Sequence, residues 1–373
     1  MNYPNPNDLK ITEPTLLIDD DTAKKNIKNM RQRAERSNVI FRPHFKTHQS
    51  REVAQWYREQ GVSKITVSSL KMAEFFANDG WDDITVAFPA NIREKERIND
   101  LVRKIHLNLL VESVESIYAL DQLLETDKEI DVYLKIDVGT HRTGVDPSNR
   151  KSISELISAL DDGNHLKFKG FLGHAGHSYK SHSAEEIKNV YSESIELFRQ
   201  LNQEFQNGEK DYINSLGDTP TCSHFMYDQD YIGEIRPGNF LFYDLMQKQI
   251  GSCDWENIAV AMACPVVAKH PERSELVVHG GAVHFSKDYI SWKGQKMYGM
   301  VVERNGNSWK PIDQRIFLHR LSQDHGKISA PQDFVEKVNI GDLIQIVPAH
   351  SCLTVSAMRG AMTLEGQKID VMI

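Results

Sequence analysis

The chain has 373 residues, of which 40% are apolar and 26% are charged, and its formal net charge is −8 at pH 7. This composition is typical of a soluble globular protein. The length fits a barrel of roughly 250 residues with a smaller second domain better than it fits one ordinary core. The negative charge and the lack of a long Lys/Arg block argue against a nucleic-acid or anionic-membrane surface.

The cysteines and the apolar runs bear on the location of the protein. Cys222, Cys253, Cys264 and Cys352 are too few for a disulfide framework in a chain of this length, which favours a reducing compartment. The polar N-terminus lacks the apolar region of a signal peptide. The longest apolar run, Ile258–Ala268, is short and contains a proline, so it does not predict a membrane span. We therefore expect a cytoplasmic protein with neither a nucleic-acid nor a membrane partner.

From residue 15 to about residue 244, short apolar runs alternate with longer amphipathic segments. The runs predict strands at Thr15–Asp19, Ile40–Lys46, Ile65–Ser69, Ile84–Phe88, Leu107–Glu112, Val132–Val138, Phe168–His174 and Tyr212–Leu216, with a ninth run at Phe240–Tyr243. The segments between them predict helices such as Thr22–Arg36, Arg93–Arg103, Ser116–Glu125 and Ala184–Gln206. This alternation predicts a (β/α)8 barrel rather than an open doubly wound sheet, with the chemistry at the carboxyl ends of its strands.

After about residue 250 the pattern changes to short runs rich in Val, Ile and Met, separated by polar turns. Such runs lie at Ser274–His279, Gly299–Val302, Ile316–Leu321 and Leu343–Val347. They predict a second, mostly β domain. We place the barrel domain at residues 13–248 and the C-terminal β domain at 249–373, which residues 1–12 can join.

The segment Arg42-Pro-His-Phe-Lys-Thr-His48 carries the most chemistry. If it runs as a strand, alternation places Arg42, His44, Lys46 and His48 on one face. So much polar chemistry inside a barrel costs several kcal/mol unless an anion binds there. Burial and the cationic neighbours would lower the pKa of Lys46 and make it a Schiff-base nucleophile, with an aldehyde cofactor as its natural partner. The alternative is a solvated lysine at a strand end, or one paired with a carboxylate.

Three further segments are candidates for ligand contacts. Ser215-Leu-Gly-Asp-Thr-Pro-Thr221 supplies hydroxyls, a glycine and backbone N–H groups that suit a phosphate, although such clusters are usually turns. Arg236-Pro-Gly-Asn239, shortly before Tyr243, is a second candidate for the same anion, or again a loop. Asp137-Val-Gly-Thr-His-Arg142-Thr-Gly sets an arginine between glycines just past a strand, where a ligand contact and an Asp137–Arg142 pair are equally expected.

The late segment Pro348-Ala-His-Ser-Cys352 is a candidate metal site. On a strand, His350 and Cys352 would share a face, and imidazole with thiolate suits Zn²⁺. A site with only two protein ligands would be open to water or substrate and therefore catalytic. The alternative is a buried histidine beside a small apolar cysteine.

Taken together and in order, these segments resemble fold-type III pyridoxal-phosphate enzymes, and within them the D-serine dehydratase and D-threonine aldolase group, relatives of alanine racemase. The resemblance runs from residue 14 to about residue 358. It rests on R-P-H-x-K-T-H, D-x-G-x-x-R-x-G, G-H-x-x-H-S-Y, S-x-G-x-T-P-T, R-P-G-N…Y-D and P-x-H-x-C. It implies an alanine-racemase-like barrel, a C-terminal β domain and a homodimer with active sites near the subunit interface.

Carried over by position, the resemblance implies a role for each matching residue. Lys46 would hold pyridoxal phosphate, and Arg142 would lie near its phenolic oxygen. Tyr179 matches the residue at the pyridine nitrogen in the dehydratases, whereas Arg236 matches the residue there in alanine racemase, so the two compete. The phosphate would be surrounded by Ser215, Gly217, Thr219, Gly238, Asn239 and Tyr243. His350 and Cys352 would bind zinc as in the dehydratases, where the aldolases have His and Asp.

One segment departs from the resemblance, since His279-Gly280-Gly281 stands where relatives usually read Asp-Ala-Gly. The resulting hypothesis is a pyridoxal-phosphate- and metal-dependent lyase for D-β-hydroxy amino acids. A dehydratase would eliminate the β-hydroxyl and yield a 2-oxo acid and ammonia, with Lys46 removing the α-proton. An aldolase would yield glycine and an aldehyde. Candidate bases or orienting groups are His44, His48 and His177.

Three other classes remain as alternatives. A racemase shares the cofactor and the fold but needs a second base and no metal. A metal-dependent amidohydrolase would want a closely spaced His-x-His on an early strand, where this chain has two histidines flanking a lysine. A non-catalytic pyridoxal-phosphate carrier with this barrel usually lacks a β domain.

Overall fold

The computed structural model describes residues 10–205, 212–306 and 308–372. The strands of its N-terminal two thirds are β1 (Thr15–Ile18), β2 (Ile40–Phe41), β3 (Lys64–Val67), β4 (Asp83–Pro89), β5 (His106–Val111), β6 (Ile130–Lys135), β7 (Leu166–Leu172), β8 (Ser215–Leu216) and β9 (Glu234–Ile235). The helices there are α1 (Asp20–Arg36), α2 (Arg51–Glu59), α3 (Leu70–Ala77), α4 (Lys95–Lys104), α5 (Val114–Leu123), α6 (Arg150–Asp161), α7 (Ala184–Phe205), α8 (Thr219–His224) and α9 (Leu245–Gln249). Gln206, the predicted last residue of α7, lies outside the described residues, as do residues 1–9 and 373 of the predicted domains.

The rest of the described chain is mostly β structure. Its strands are β10 (Val260–His270), β11 (Glu275–His279), β12 (Ile290–Trp292), β13 (Gln295–Met297), β14 (Gly299–Asn305), β15 (Ser308–Pro311), β16 (Phe317–Leu321), β17 (His325–Ser329), β18 (Leu343–Pro348), β19 (Gly360–Thr363) and β20 (Lys368–Asp370). Its helices are short: α10 (Ala282–Phe285), α11 (Gln332–Lys337) and α12 (Ser351–Met358).

The predicted barrel is confirmed. In the described residues, β2 to β9 form a parallel eight-stranded sheet in the order β2-β9-β8-β7-β6-β5-β4-β3. Its two edges meet through the segment after β2, where His44 forms a parallel bridge with Thr66 and the Thr66 N–H donates to the Pro43 carbonyl. The sheet therefore closes on itself, as a (β/α)8 barrel requires.

Two of the runs predicted from the sequence differ in the structure: one forms a strand of another sheet, and one forms no strand. β1 forms where it is predicted, but it pairs with β10 and β19, outside the barrel sheet. Its place in the barrel is taken by β9, which apolar patterning does not reveal because half of that two-residue strand is Glu234. Residues 240–243 form no strand, since a 3₁₀ helix occupies Asn239–Leu241.

The chain divides into two compact units, and each unit is built from segments that are separate in the sequence. One unit comprises residues 29–46 and 57–238 and holds the barrel sheet. The other comprises the described residues of 10–28, 47–56 and 239–372. The division of sequence domains at residues 248 and 249 stays a prediction.

The second unit is built on a mainly antiparallel sheet. Strands β11, β17, β16, β14, β18 and β10 follow one another, and β10 also pairs with β11, so these six close on themselves. β1, β19 and β20 extend the sheet from β10, with β1 and β19 parallel. The predicted mostly β character of the C-terminal region is confirmed.

Polar caps make short links from strand to helix. Ser69 follows β3 and accepts from the Met72 N–H at 3.1 Å, and Ser113 begins α5 in the same way after β5. These caps satisfy the first free N–H groups of each helix directly beyond a strand end. None of the described helices is both long and apolar enough to span a bilayer.

Candidate active site

Lys46 lies in a 3₁₀ helix, Phe45–Thr47, rather than in the predicted strand. The strand β2 ends at Phe41, but hydrogen bonds to the neighbouring chain continue at Arg42 and His44, whose N–H groups donate to the Ile235 and Pro237 carbonyls before the chain turns into the 3₁₀ helix. Phe45 anchors the turn, because its fully buried ring packs against Tyr57, Phe76 and Trp81 with centroids 4.9 to 5.0 Å away. The turn thus sets Lys46 just beyond a barrel strand, where barrel enzymes carry their chemistry.

The segment does not present one face of four cations. Arg42 points into the barrel interior, where its Nε donates to Glu234 at 2.5 Å and its Nη1 donates to Asp83 at 2.6 Å. His48 belongs to the other compact unit, and there its Nδ1 accepts from the Ser50 N–H at 3.2 Å. Burial lowers the pKa of His48 to about 3, against the Ser50 hydrogen bond, so its ring is neutral.

Lys46 belongs to a cluster of interacting basic groups within the barrel unit. Burial, followed by the charges of Lys46, Arg236, His174 and Arg142, holds the pKa of His44 well below its usual range. The same burial and the same cations lower the pKa of His174, whose Nδ1 lies 2.7 Å from the Gly217 carbonyl. Both rings are therefore neutral, and the positive charge of the cluster suits an anionic ligand.

Of the two histidines after β7, His174 rather than the predicted His177 interacts with the basic cluster. His174, which was not among the predicted site residues, is in the cluster. The predicted His177 lies farther along, in the 3₁₀ helix Gly176–Lys180, with its Nδ1 3.4 Å from the Thr140 hydroxyl. The available signal for His174 was its position two residues after the end of β7 at Leu172.

Arg236 is the buried centre of a hydrogen-bonded network. Its Nε donates to the Ser215 hydroxyl at 2.6 Å, and its Nη2 donates to the Gly173 carbonyl. Ser215 in turn donates to Glu234 at 2.6 Å, and Glu234 also binds Arg42. The Ser215 hydroxyl is thus engaged by Arg236 and Glu234, and the Ser215 carbonyl accepts from the Gly173 N–H at 2.9 Å.

Gly217, Thr219 and Tyr179 come together after β8. The Thr219 N–H donates to the Tyr179 hydroxyl at 3.1 Å. A Cβ at Gly217 would lie 2.6 Å from the backbone nitrogen of Arg236, so only glycine permits this close approach of the two backbones. Asp218 holds the loop by accepting from the Thr221 N–H and from the Ser178 hydroxyl, each at 2.8 Å. The cradle shape and the nearby cations fit a phosphate.

The Arg142 loop folds back on β6 without the Asp137–Arg142 pair. Asp137 accepts from the backbone of His141 at 2.9 Å and pairs with its ring at 3.0 Å. Gly144 has φ +113°, and a Cβ there would lie 2.6 Å from the Asp137 nitrogen, which explains the second glycine of the motif. Arg142 is exposed, and its charge is one of those that lower the pKa of His44.

Asn239 and Tyr243, two further predicted cofactor residues, lie in the second unit. Gly238 is the last residue of the barrel unit and follows Pro237, whose carbonyl accepts from the His44 N–H. Tyr243 is buried with φ +49°, a left-handed conformation that a bulky residue rarely adopts. Asn239 donates from its Nδ2 to Asp244 at 2.6 Å and to the Cys352 sulfur at 3.5 Å. Asn239 and Cys352, assigned to different groups from the sequence, therefore meet in this unit.

His350 and Cys352 lie at the start of α12, because β18 ends at Pro348. The predicted strand at Leu343–Val347 forms as β18 but does not extend through residues 350–352, and the pair still meets across the first helical turn. Asp244 fixes that turn by accepting from the Ser351 N–H at 2.9 Å. The Thr47 hydroxyl lies 3.4 Å from the Cys352 sulfur.

The chemistry of this second cluster fits a borderline divalent cation. Burial alone would lower the pKa of His350, but hydrogen bonds with Asp288 and Cys352 raise it to about 11. Among the described residues, the buried Oδ1 of Asn239 has no hydrogen-bond partner. An imidazole and a thiol in contact are donors that zinc accepts, and the unsatisfied amide oxygen belongs to Asn239, whose Nδ2 donates to the same sulfur.

The segment His279-Gly280-Gly281, which departs from the resemblance, contributes His279 to a second cluster of possible metal ligands. His279, His284 and Asp324 present ligand atoms within 4.8 Å of one another. The Gly281 N–H donates to His284 Nδ1 at 3.1 Å, so the Nδ1 lone pair is occupied. The neutral ring then carries its proton on Nε2, and neither nitrogen is free to bind a metal while this hydrogen bond holds. Asp324 is exposed. We assign no metal to this group.

Comparisons with known proteins cover nearly the whole chain. Residues 18–245 match the family described as "Alanine racemase, N-terminal domain", and residues 259–364 match the one described as "Putative serine dehydratase domain". The chain is 32% identical to a D-serine dehydratase of Dictyostelium discoideum over 95% of this chain and 93% of the relative. It is 29% identical to a D-threo-3-hydroxyaspartate dehydratase of Delftia sp. (strain HT23) over 93% of this chain and 92% of the relative.

Among solved structures, a variant of D-threo-3-hydroxyaspartate dehydratase "in the metal-free form" superposes with a TM-score of 0.88. It is 27% identical and covers 97% of this chain and 98% of its own. Both the sequence relatives and this structure therefore match the chain across the barrel unit and the β unit.

Proposed function

The chain belongs to the alanine racemase N-terminal domain family, and from this membership and the geometry of its two clusters we propose a pyridoxal-phosphate- and metal-dependent lyase for D-β-hydroxy amino acids. The observation that carries the proposal is the basic cluster around Lys46, in which the charges of Lys46, Arg236 and Arg142 act together on the buried rings of His44 and His174 and lower the pKa of both. Elimination is the first candidate reaction, since the histidine–cysteine pair is the one that the resemblance associates with dehydratases. Retro-aldol cleavage is the second.

The basic cluster suits pyridoxal phosphate because that cofactor brings an aldehyde, a phenolic oxygen and a phosphate. Lys46 would hold the aldehyde carbon, and the arginines would offset the negative charges. The Gly217 cradle would take the phosphate, with Thr219 at its edge. When bound, pyridoxal phosphate supplies an electron sink for negative charge at the substrate's α-carbon. Which of Tyr179 and Arg236 faces the pyridine nitrogen stays a prediction.

The chain's own groups then divide the proton transfers. Lys46 Nζ takes the proton from the α-carbon, and His44 and His174, which burial keeps neutral, add no positive charge to the cluster. In elimination the β-hydroxyl takes up a proton and leaves as water, and hydrolysis of the resulting enamine by one water would yield pyruvate and ammonia from D-serine. His48, which is hydrogen-bonded to Ser50, and His177, which lies beside Thr140, have structural roles in this proposal.

His350 and Cys352 would hold the metal, zinc in our proposal, and a divalent cation there supplies Lewis acidity toward the leaving hydroxyl. Asn239 contributes by donating to the Cys352 sulfur, which favours the thiolate that a metal needs. Thr47, whose hydroxyl contacts the same sulfur, follows Lys46 directly in the chain.

The experiment is a product assay with a panel of D-amino acids. We expect pyruvate and ammonia from D-serine, or the corresponding 2-oxo acid from a 3-hydroxy homologue, and loss of turnover on chelation that zinc restores. Glycine and an aldehyde would instead establish the aldolase reaction. Formation of the enantiomeric amino acid with full activity in chelator would replace the proposal by a racemase, and no product from any D-amino acid would overturn it. A homodimer and a cytoplasmic location belong to the same proposal.

A further inference from the structure

Asp288 lies against the candidate metal ligand His350 and is positioned there by a turn after α10. The carboxylate oxygen Oδ2 lies 2.5 Å from His350 Nδ1, although the two residues are 62 positions apart. Asp288 follows α10, and its N–H donates to the Ser286 hydroxyl at 3.2 Å. Ser286 itself has φ +68°, a conformation that a residue other than glycine rarely adopts.

The turn is also tied to α12, the helix that carries the ligands. The Thr354 hydroxyl donates to the Phe285 carbonyl at 3.2 Å, and Phe285 is 1% exposed. The position of Asp288 is therefore fixed relative to His350 from both sides of the contact.

Stability does not account for this pair. The side chains of His350 and Asp288 are 26% and 35% exposed, and ion pairs so open to solvent contribute little to folding. A strained turn that delivers a carboxylate to a ring nitrogen needs another reason.

Metal ligation gives that reason. A carboxylate at Nδ1 accepts the Nδ1 proton, which fixes the tautomer and leaves the Nε2 lone pair for a cation. It also makes the ring a more basic ligand and prevents it from rotating. The same ring contacts Cys352, so the ring is already turned toward the second ligand.

We infer that Asp288 is a positioning residue of the metal site, which acts through His350 and sets the affinity for a divalent cation. The inference rests on the proposed function, because it takes His350 and Cys352 as the ligands. It goes beyond that function by assigning the cation affinity to a residue that touches neither substrate nor metal.

The test measures zinc affinity by competition with a chromophoric chelator, using the full-length protein freed of metal. Relative to wild type, we expect Asp288→Ala to bind zinc about 10- to 100-fold more weakly, the usual effect of losing such a partner. Asp288→Asn, whose amide oxygen still accepts from Nδ1, should lose less. The matched control is Glu272→Gln, which removes a carboxylate 3.6 Å from His270 in the same unit and should leave zinc affinity unchanged.

Two comparisons keep this inference separate from the proposed function. The melting temperature of each metal-free variant should equal that of the wild type, and if Asp288→Ala does not fold, Asp288→Asn decides. Wild-type affinity in both folded Asp288 variants, with binding lost in His350→Ala, would overturn the inference and leave the metal site intact. Wild-type affinity in His350→Ala would instead refute the ligand pair of the proposed function.

Discussion

Lys135, a buried barrel lysine, permits a quantitative prediction. It ends β6 with 6% exposure, and its Nζ donates to the Ile136 carbonyl at 3.0 Å. Burial, followed by the charges of Arg236 and Arg142, lowers its pKa from the ordinary 10.5 to about 7, against the opposing carboxylates of Asp137 and Glu112. Such a shift corresponds to about 5 kcal/mol of destabilisation by the charged form.

The sign of the pH dependence follows from proton binding. Between about pH 7 and pH 10 the unfolded chain holds the Lys135 proton and the folded protein does not, so this lysine makes stability rise with pH there. Below pH 7 both states are protonated and the full penalty applies. Lys135→Met removes the charge and keeps most of the volume, so the variant should be more stable than wild type at neutral pH.

The assay is urea unfolding of the cofactor-free wild type and of Lys135→Met at about pH 7.5 and about pH 9.5. The advantage of the variant should shrink by about 1.4 kcal/mol for each pH unit, since one proton separates the folded and unfolded wild type. An advantage that stays constant within about 0.5 kcal/mol, or a variant less stable at both pH values, would refute the reasoning.

Three further predictions concern the barrel unit. Gly217→Ala should weaken pyridoxal-phosphate binding at least about tenfold in a fluorescence titration, because the new Cβ meets the Arg236 backbone and overpacking costs about 1–3 kcal/mol; unchanged binding would remove Gly217 from the cradle. Glu234→Gln should lower the free energy of unfolding by about 2–4 kcal/mol, since it leaves a buried arginine with Asp83 as its remaining carboxylate; a loss below about 1 kcal/mol would contradict this. Burial raises the pKa of Asp218 to about 6, against hydrogen bonds from Thr221 and Ser178, so its contribution is greatest at low pH and is lost as the pH rises through 6. Asp218→Asn should abolish that decline in a series of melting temperatures.

The barrel could be predicted from the sequence because its strands are buried runs separated by amphipathic helices. The pattern could not show which sheet receives a given strand. The run at Thr15 is apolar whether it lies in the barrel or, as observed, beside β10. It could not show β9 either, because the buried Glu234 is satisfied by Arg42 and Ser215, partners roughly 190 and 20 residues away that no local pattern contains.

The residues of the candidate site likewise include some that the sequence indicates and some that only the structure reveals. The motif around Lys46 indicates the right residue types, since a lysine among cations is unusual chemistry wherever the backbone places it. The assignment of His48 to that face depended on strand alternation, which ends at Phe41 and so cannot place it. His350 and Cys352 have a local signature, whereas Asp288 reaches them from another turn and is visible only in three dimensions.

The central claim is that Lys46 carries pyridoxal phosphate, and covalent labelling tests it most directly. Purified protein reconstituted with the cofactor should show a visible absorption band that borohydride bleaches, and peptide mass spectrometry should then find the label on Lys46. The matched control is Lys169→Ala, which removes another barrel lysine, paired with Asp131 at 2.7 Å, and should keep both band and label. Lys46→Ala should lose both. A label on a different lysine, or a bleachable band that persists in Lys46→Ala, would contradict the account.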